Sequence, residues 1–282
     1  MRLLRVGPVG AERPAAYDDD GVVRDLSSLV ADIDGRFLAN TDLQSRVARA
    51  LRDRCLPVVP ADLRLGAPVA RPGKIVGVGL NYRDHAVPAG TELPARPAVF
   101  LKPSSTICGP RDAIELPPGS TATDYEVELG VVVGSVLKQC TDRASALAAV
   151  GGYVAVNDVT ERALALDGPT WAKGKCCDTF TPLGPWLLTG DEVADPQQLG
   201  LELRVNGRVR QTGSTRAMAF GVAELLCYLS GLMTLEPGDL VITGTPSGVA
   251  ATQREPKPYL RHGDLVELEV SGLGRQRTPV LG

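Results

Sequence analysis

Histidine is nearly missing from this chain: only His85 and His262 occur in 282 residues. A three-histidine metal site is therefore impossible within one chain, and the HExxH zinc helix is absent. Any metal would have to be held by oxygen. The six cysteines (Cys55, Cys108, Cys140, Cys176, Cys177 and Cys227) contain no CxxC spacing. The adjacent pair Cys176-Cys177 is poorly suited to a mutual disulfide or a zinc knuckle, so reduced and mostly buried thiols are expected. No apolar run approaches the roughly 18 residues of a membrane span, and no basic and apolar N-terminal segment resembles a signal peptide. A net charge of −3 offers no electrostatic basis for binding nucleic acid or an anionic membrane. The expectation is a cytoplasmic protein without nucleic-acid or membrane partners.

What is present is ordinary globular composition, 44% hydrophobic and 22% charged. Residues 1–70 read as a small α/β unit: a strand at MRLLRV, a polar turn at YDDDG and an amphipathic helix at TDLQSRVARALRD. The Pro- and Gly-rich link LGAPVARPGK follows, placing a boundary near Gly73 and leaving residues 71–282 as a larger domain. That domain is dominated by short apolar runs: KIVGVGL, PAVFLK, VELGVVVG, GYVAVND, LGPWLLT, LGLELRV, DLVITG and DLVELEV. Their β-branched content and their Gly, Pro, Asn and Asp borders predict strands. Asn206-Gly207 between LELRV and RVRQ predicts a tight hairpin. Helices are expected at DRASALAAV, at TERALALD and from Arg216 to Leu232, where Met218, Val222, Leu225 and Leu229 form one stripe. The class is α+β, predominantly β, with a rolled or barrel-like sheet.

The chemistry concentrates in TDYEVELGVVVG, where an apolar strand carries Glu126 and Glu128. Alternate side chains of a strand share a face, so the two carboxylates stand about 7 Å apart along the chain and repel. Something positive, or water, must face them. Asp158 ends a second apolar strand at GYVAVNDVT and adds a third candidate ligand. Neither run holds a matching lysine, and three carboxylates of this kind are what a hard divalent cation requires. Otherwise the pair is simply the wet side of an edge strand.

The ordered motifs GLNYRDHA, DYEVELGVVVG, GYVAVNDVT, KCCDTFTPLGPW, VNGRVRQ and LEPGDLVITGTPSGV decide between these readings. Together they resemble the fumarylacetoacetate hydrolase superfamily over residues 74 to about 270. The resemblance implies a β-roll domain, often a homodimer, with Mg²⁺ or Mn²⁺ held by Glu126, Glu128 and Asp158. It implies small 2-oxo or 1,3-dicarbonyl acid substrates and reactions that include C–C hydrolysis, decarboxylation, isomerisation and hydration. It places the active-site lysine on Lys175, the lid histidine on His85 and the threonine of the TGTP turn on Thr245. Gly244, beside Thr245, and Tyr82 and Gln211 become candidate pocket lining. Arg162, four residues after Asp158, is a candidate for a substrate carboxylate or a surface residue, and Lys173 reads as solvated. Gly77-Val78-Gly79 mimics the start of a dinucleotide loop but lacks its third glycine.

One departure matters. Many relatives carry a glutamate three residues after the lid histidine, whereas this chain reads His85-Ala86-Val87-Pro88. Glu92 could substitute if the segment folded back. Ala163 also stands where many relatives have an acidic residue. A histidine without its orienting acid is poorly fixed in tautomer and position, which weakens water activation more than enolate chemistry. C–C hydrolysis or decarboxylation leads, with isomerase or hydratase action as the alternative and a catalytically silent binding protein behind both.

Overall fold

The computed structural model describes residues 1–84 and 93–282. Its central strand is Val127–Val133, buried at every position. Val127, Leu129, Val131 and Val133 enter one core, while Val132 enters another on the opposite face. Burial on both sides is why this segment reads as a near-continuous apolar run rather than an alternation. It pairs antiparallel with Val150–Asn157 on one side and Leu240–Ile242 on the other. Leu240–Ile242 continues in parallel to Ile75–Gly79, which pairs antiparallel with the edge strand Ala98–Lys102. Leu187–Thr189 flanks Val150–Asn157 and is followed by Arg2–Val6, Arg13–Tyr17 and Val23–Asp25.

Hydrogen bonding is thus continuous across the expected boundary near Gly73, since Arg2–Val6 pairs with Leu187–Thr189. The first 70 residues also cover one face of this sheet. Leu26, Val30, Ile33, Phe37 and Val47 pack with Val132, Val154, Val156 and Leu240. The other face meets a second, five-stranded sheet that includes Gly200–Val205, Arg208–Ser214, Leu265–Val270 and Arg275–Leu281. Leu201, Leu203, Val266 and Leu268 fill the space between the sheets, joined by Leu225 and Leu229 of the helix Val222–Leu232. The result is a mixed α+β fold in which strand residues outnumber helical ones.

Local sequence chemistry places the elements. Asn206 and Gly207 both take positive φ, 51° and 74°, between Gly200–Val205 and Arg208–Ser214. That is the primed-turn geometry which matches strand twist. The helix Thr41–Arg52 is capped by the Asn40 side chain, which accepts from the Leu43 N–H, and carries Arg49 and Arg52 in its last turn.

Two expectations need correction, and one strand was not anticipated. The helix expected from Arg216 begins only at Val222. Residues 218–220 instead bond the segment at Asn81: Tyr82 bridges Met218, the Ala219 N–H donates to the Asn81 carbonyl, and the Phe220 N–H donates to Asn81 Oδ1. Tertiary partners there outweigh helical propensity. TERALALD forms only the single helical turn Arg162–Ala165. Arg275–Leu281 is a strand that goes unrecognised in the sequence, because its outward positions are polar and Pro279 interrupts the pattern. Among the described residues no helix is long and apolar enough to cross a membrane.

Candidate active site

The register Val127↔Asn157 sets the start of one central strand beside the end of its neighbour. Glu126 and Glu128 therefore lie next to Asp158. The Asp158 N–H donates to the Glu126 carbonyl at 2.9 Å, and the Glu126 N–H donates to Asn157 Oδ1 at 3.0 Å. One carboxylate oxygen from each of Glu126, Glu128 and Asp158 falls within 4.8 Å of the others. All three side chains are buried. This is no wet edge.

The positive charge that the strand pattern demands comes from elsewhere in the chain. Lys175, at the end of the short helix Ala172–Lys175, donates to Glu126 Oε2 at 2.8 Å and to Asp158 Oδ2 at 2.5 Å. Lys102, at the end of the strand Ala98–Lys102, donates to Asp158 Oδ1 at 2.5 Å and to the Phe180 carbonyl at 2.7 Å. Arg162 bonds Asp124 Oδ2 at 2.9 Å through Nε and also pairs with Glu126. It is neither a surface residue nor one unspent on protein carboxylates. Lys173 is exposed and pairs with Asp167.

Burial and charge push these groups in different directions. Burial, then the neighbouring Asp158 and Glu126, raises the Glu128 carboxyl well above the usual carboxylate range. Burial opposes the charge on Lys175, yet Asp158 and Glu126 prevail and hold its pKa above normal. At Lys102 burial wins and the pKa falls, although Asp158 opposes it. Two buried lysines on one aspartate are thereby made chemically distinct.

Gly244 and Thr245 close the far side. The Gly244 N–H donates to Glu128 Oε2 at 2.7 Å, and Thr245 Oγ1 donates to the Val127 carbonyl at 2.9 Å. Both line a cavity of about 80 Å³ together with Glu126, Glu128, Arg162 and Lys175. Gln211 is spent on the framework: its Oε1 accepts from the Val127 N–H at 3.0 Å, and its Nε2 donates to Thr245 Oγ1 at 2.8 Å. Tyr82 is fully buried and is not among the residues that line this cavity, and its hydroxyl has no hydrogen-bond partner among the described residues. His85, Pro88 and Glu92 lie outside the described residues.

Sequence reasoning missed Lys102, Asp124 and the aromatic lining. Lys102 left one signal, a cation terminating the apolar run PAVFLK. Asp124, fully buried, accepts from the backbone N–H groups of Ala250 and Ala251 as well as from Arg162. Its role depends on a contact more than 120 residues away in sequence, which no local pattern encodes.

Three buried carboxylates within 4.8 Å of one another, two of them bridged by Lys175, offer the oxygen donors that suit a hard divalent ion such as Mg²⁺ or Mn²⁺. Fold and site together define a strand-dominated protein with a buried acidic cluster that could hold a divalent metal. The chain belongs to the fumarylacetoacetate hydrolase family: residues 74–281 match the family described as Fumarylacetoacetate (FAA) hydrolase C-terminal. A Burkholderia multivorans protein, provisionally named a hydrolase, is 51% identical over 277 residues, 98% of this chain and 97% of its own. A Mycobacterium abscessus structure provisionally assigned as a 2-hydroxyhepta-2,4-diene-1,7-dioate isomerase is 36% identical with a TM-score of 0.82. It is matched over 100% of this chain and 98% of its own. Maleylpyruvate hydrolase from Sphingobium sp. SYK-6, solved with manganese(II) and pyruvate, is 28% identical with a TM-score of 0.81 over 100% and 99% of the two chains.

Proposed function

We propose that this protein is a divalent-metal-dependent enzyme acting on a small 2-oxo or 1,3-dicarbonyl acid, by hydrolysis of a C–C bond or by decarboxylation. The observation that carries this reading is the buried convergence of Glu126, Glu128 and Asp158 with Lys175 on the same oxygens. The manganese and pyruvate of the Sphingobium relative support it. Glu126, Glu128 and Asp158 would hold Mg²⁺ or Mn²⁺, which when bound supplies Lewis-acid polarisation of a carbonyl oxygen. Lys175, which donates to Glu126 and Asp158, would place a fixed charge and hydrogen-bond donor beside substrate oxygen. Gly244 holds Glu128 in place through its N–H, and Thr245 is oriented by Gln211. Arg162 ties Asp124 to Glu126 and so steadies one member of the acidic set. His85 would exchange the proton.

Isomerisation or hydration is the second reading. It is favoured by Pro88 at the position of the expected acid and by the isomerase assignment of the M. abscessus neighbour. The test combines calorimetric titration of Mn²⁺ into wild type and Glu128→Gln with a product screen by mass. The screen covers oxaloacetate, acylpyruvates and hydroxymuconate-type diacids, each with and without metal. Metal binding that Glu128→Gln abolishes, together with metal-dependent turnover, is expected. Failure to bind any divalent cation would sink the proposal, whereas rearranged or hydrated products would select the second reading.

A further inference from the structure

The cavity is lined by two unlike sets of residues, the charged groups of the acidic site and an apolar set of Phe100, Trp171, Leu80, Val78 and Ala165. The two rings meet edge to face at 6.0 Å between centroids and 75° between planes. Each ring occupies space that a glycine leaves on the strand Ile75–Gly79. A Cβ at Gly77 would stand 2.1 Å from Phe100 Cζ, and one at Gly79 would stand 2.4 Å from Trp171 Cζ3. The rings therefore rest on backbone, which fixes the wall before any ligand arrives.

This aromatic wall begins beside the chemistry, because Lys175 Nζ lies 4.9 Å from the Phe100 centroid. The other members of the apolar set, Trp171, Leu80, Val78 and Ala165, carry no charge. The two cations that line the cavity are both engaged by carboxylates, Lys175 with Glu126 and Asp158, and Arg162 with Asp124 and Glu126. A second carboxylate on the substrate, set against Phe100 and Trp171, would face the negative faces of the rings and lose its hydration. A flat uncharged group would bury apolar area there instead. The ring surfaces of Phe100 and Trp171 favour a planar group, which can lie against them, over a branched one.

We infer that the preferred substrate has one carboxylate, at its oxo-acid end, and a planar uncharged tail, aryl or conjugated alkenyl, that lies along Trp171 and Phe100. Trp171 is then a specificity-determining residue, and diacids are the poorer ligands. The inference rests on the oxo-acid reading above and deepens it.

The test uses two unreactive oxamates that share an oxo-acid end and differ only in the tail: N-phenyloxamate and N-oxalylglycine. Each is titrated into Mn²⁺-loaded protein and followed by calorimetry and by tryptophan fluorescence, to which only Trp171 and Trp186 contribute. N-phenyloxamate should bind about tenfold more tightly in wild type, given the usual strength of aromatic pairing. Trp171→Leu should weaken N-phenyloxamate about five- to tenfold and leave N-oxalylglycine within about twofold. Equal or tighter binding of N-oxalylglycine to wild type overturns the inference without needing the variant. So does a Trp171→Leu effect that is the same for both probes. If Mn²⁺ binds but neither oxamate does, the oxo-acid reading itself fails and the inference falls with it.

Discussion

Gly244→Ala perturbs one backbone position that serves both the fold and the proposed metal site. Gly244 has φ of +94°, a conformation that L side chains rarely adopt, and forcing alanine into it costs about 1–3 kcal/mol. The added Cβ would stand 2.9 Å from Asn81 Cβ and 3.0 Å from the Val78 carbonyl. Asn81 cannot easily yield, because its Nδ2 donates to the Phe220 and Thr243 carbonyls at 3.0 and 2.8 Å. Overpacking of this kind adds about 1–3 kcal/mol. The expected loss is therefore about 2–6 kcal/mol, or about 4–12 °C in Tm at roughly 2 °C per kcal/mol for a chain of this size. The same shift moves the N–H that donates to Glu128 at 2.7 Å. Displacing a group that orients a metal ligand typically lowers affinity about 10–100-fold. Scanning calorimetry without metal and Mn²⁺ titration calorimetry read the two effects separately. An alanine variant with wild-type Tm and wild-type affinity would refute both the strain argument and the role given to this turn.

Gly231→Ala makes the opposite case. This glycine lies inside the helix Val222–Leu232, and a Cβ added there would meet nothing within 4 Å, so alanine should raise stability by about 0.5–1 kcal/mol in denaturant titration. Asp18 tests pH linkage. Burial raises its pKa, but bonds from Arg24 and from the Val22 and Asp20 N–H groups outweigh burial and hold it below the ordinary value. A depressed folded pKa gives stability that is full above the unfolded pKa of about 3.9 and is lost as pH falls through the folded value. Asp18→Asn should thus lower Tm at pH 7, and the gap to wild type should close below about pH 4; a gap constant from pH 3 to 7 contradicts the assignment. Sedimentation equilibrium should report a homodimer of about twice the 29.7 kDa chain mass, and a monomer at micromolar concentration would overturn that expectation.

Much of the site was legible in one dimension because it sits on or at the ends of regular strands. Glu126 and Glu128 are separated by a single residue at the start of the strand Val127–Val133, where extended backbone sends alternate side chains to one face, and Asp158 directly follows the strand Val150–Asn157. The Asn-Gly hairpin was equally local, set by positive-φ backbone conformations that few residues adopt. Arg162 shows where such reasoning stops. Its distance of four residues from Asp158 was visible, but not that the guanidinium would span Asp124 and Glu126.

What the sequence determined alone, then, is periodicity and turn chemistry: which runs form strands, where they reverse, and which carboxylates must face the same way. These follow from interactions within a few residues. Tertiary structure alone decided which cations answer those carboxylates, that Lys102 and Lys175 divide the two oxygens of Asp158, and that Phe100 and Trp171 rest on Gly77 and Gly79. It also decided that residues 218–220 bond to Asn81 instead of starting a helix. Each of those outcomes depends on side chains brought together by sheet register across 17 to 139 residues of chain. In a buried site the partner of a charge is chosen by what lies within hydrogen-bond reach, and reach is a property of the folded backbone.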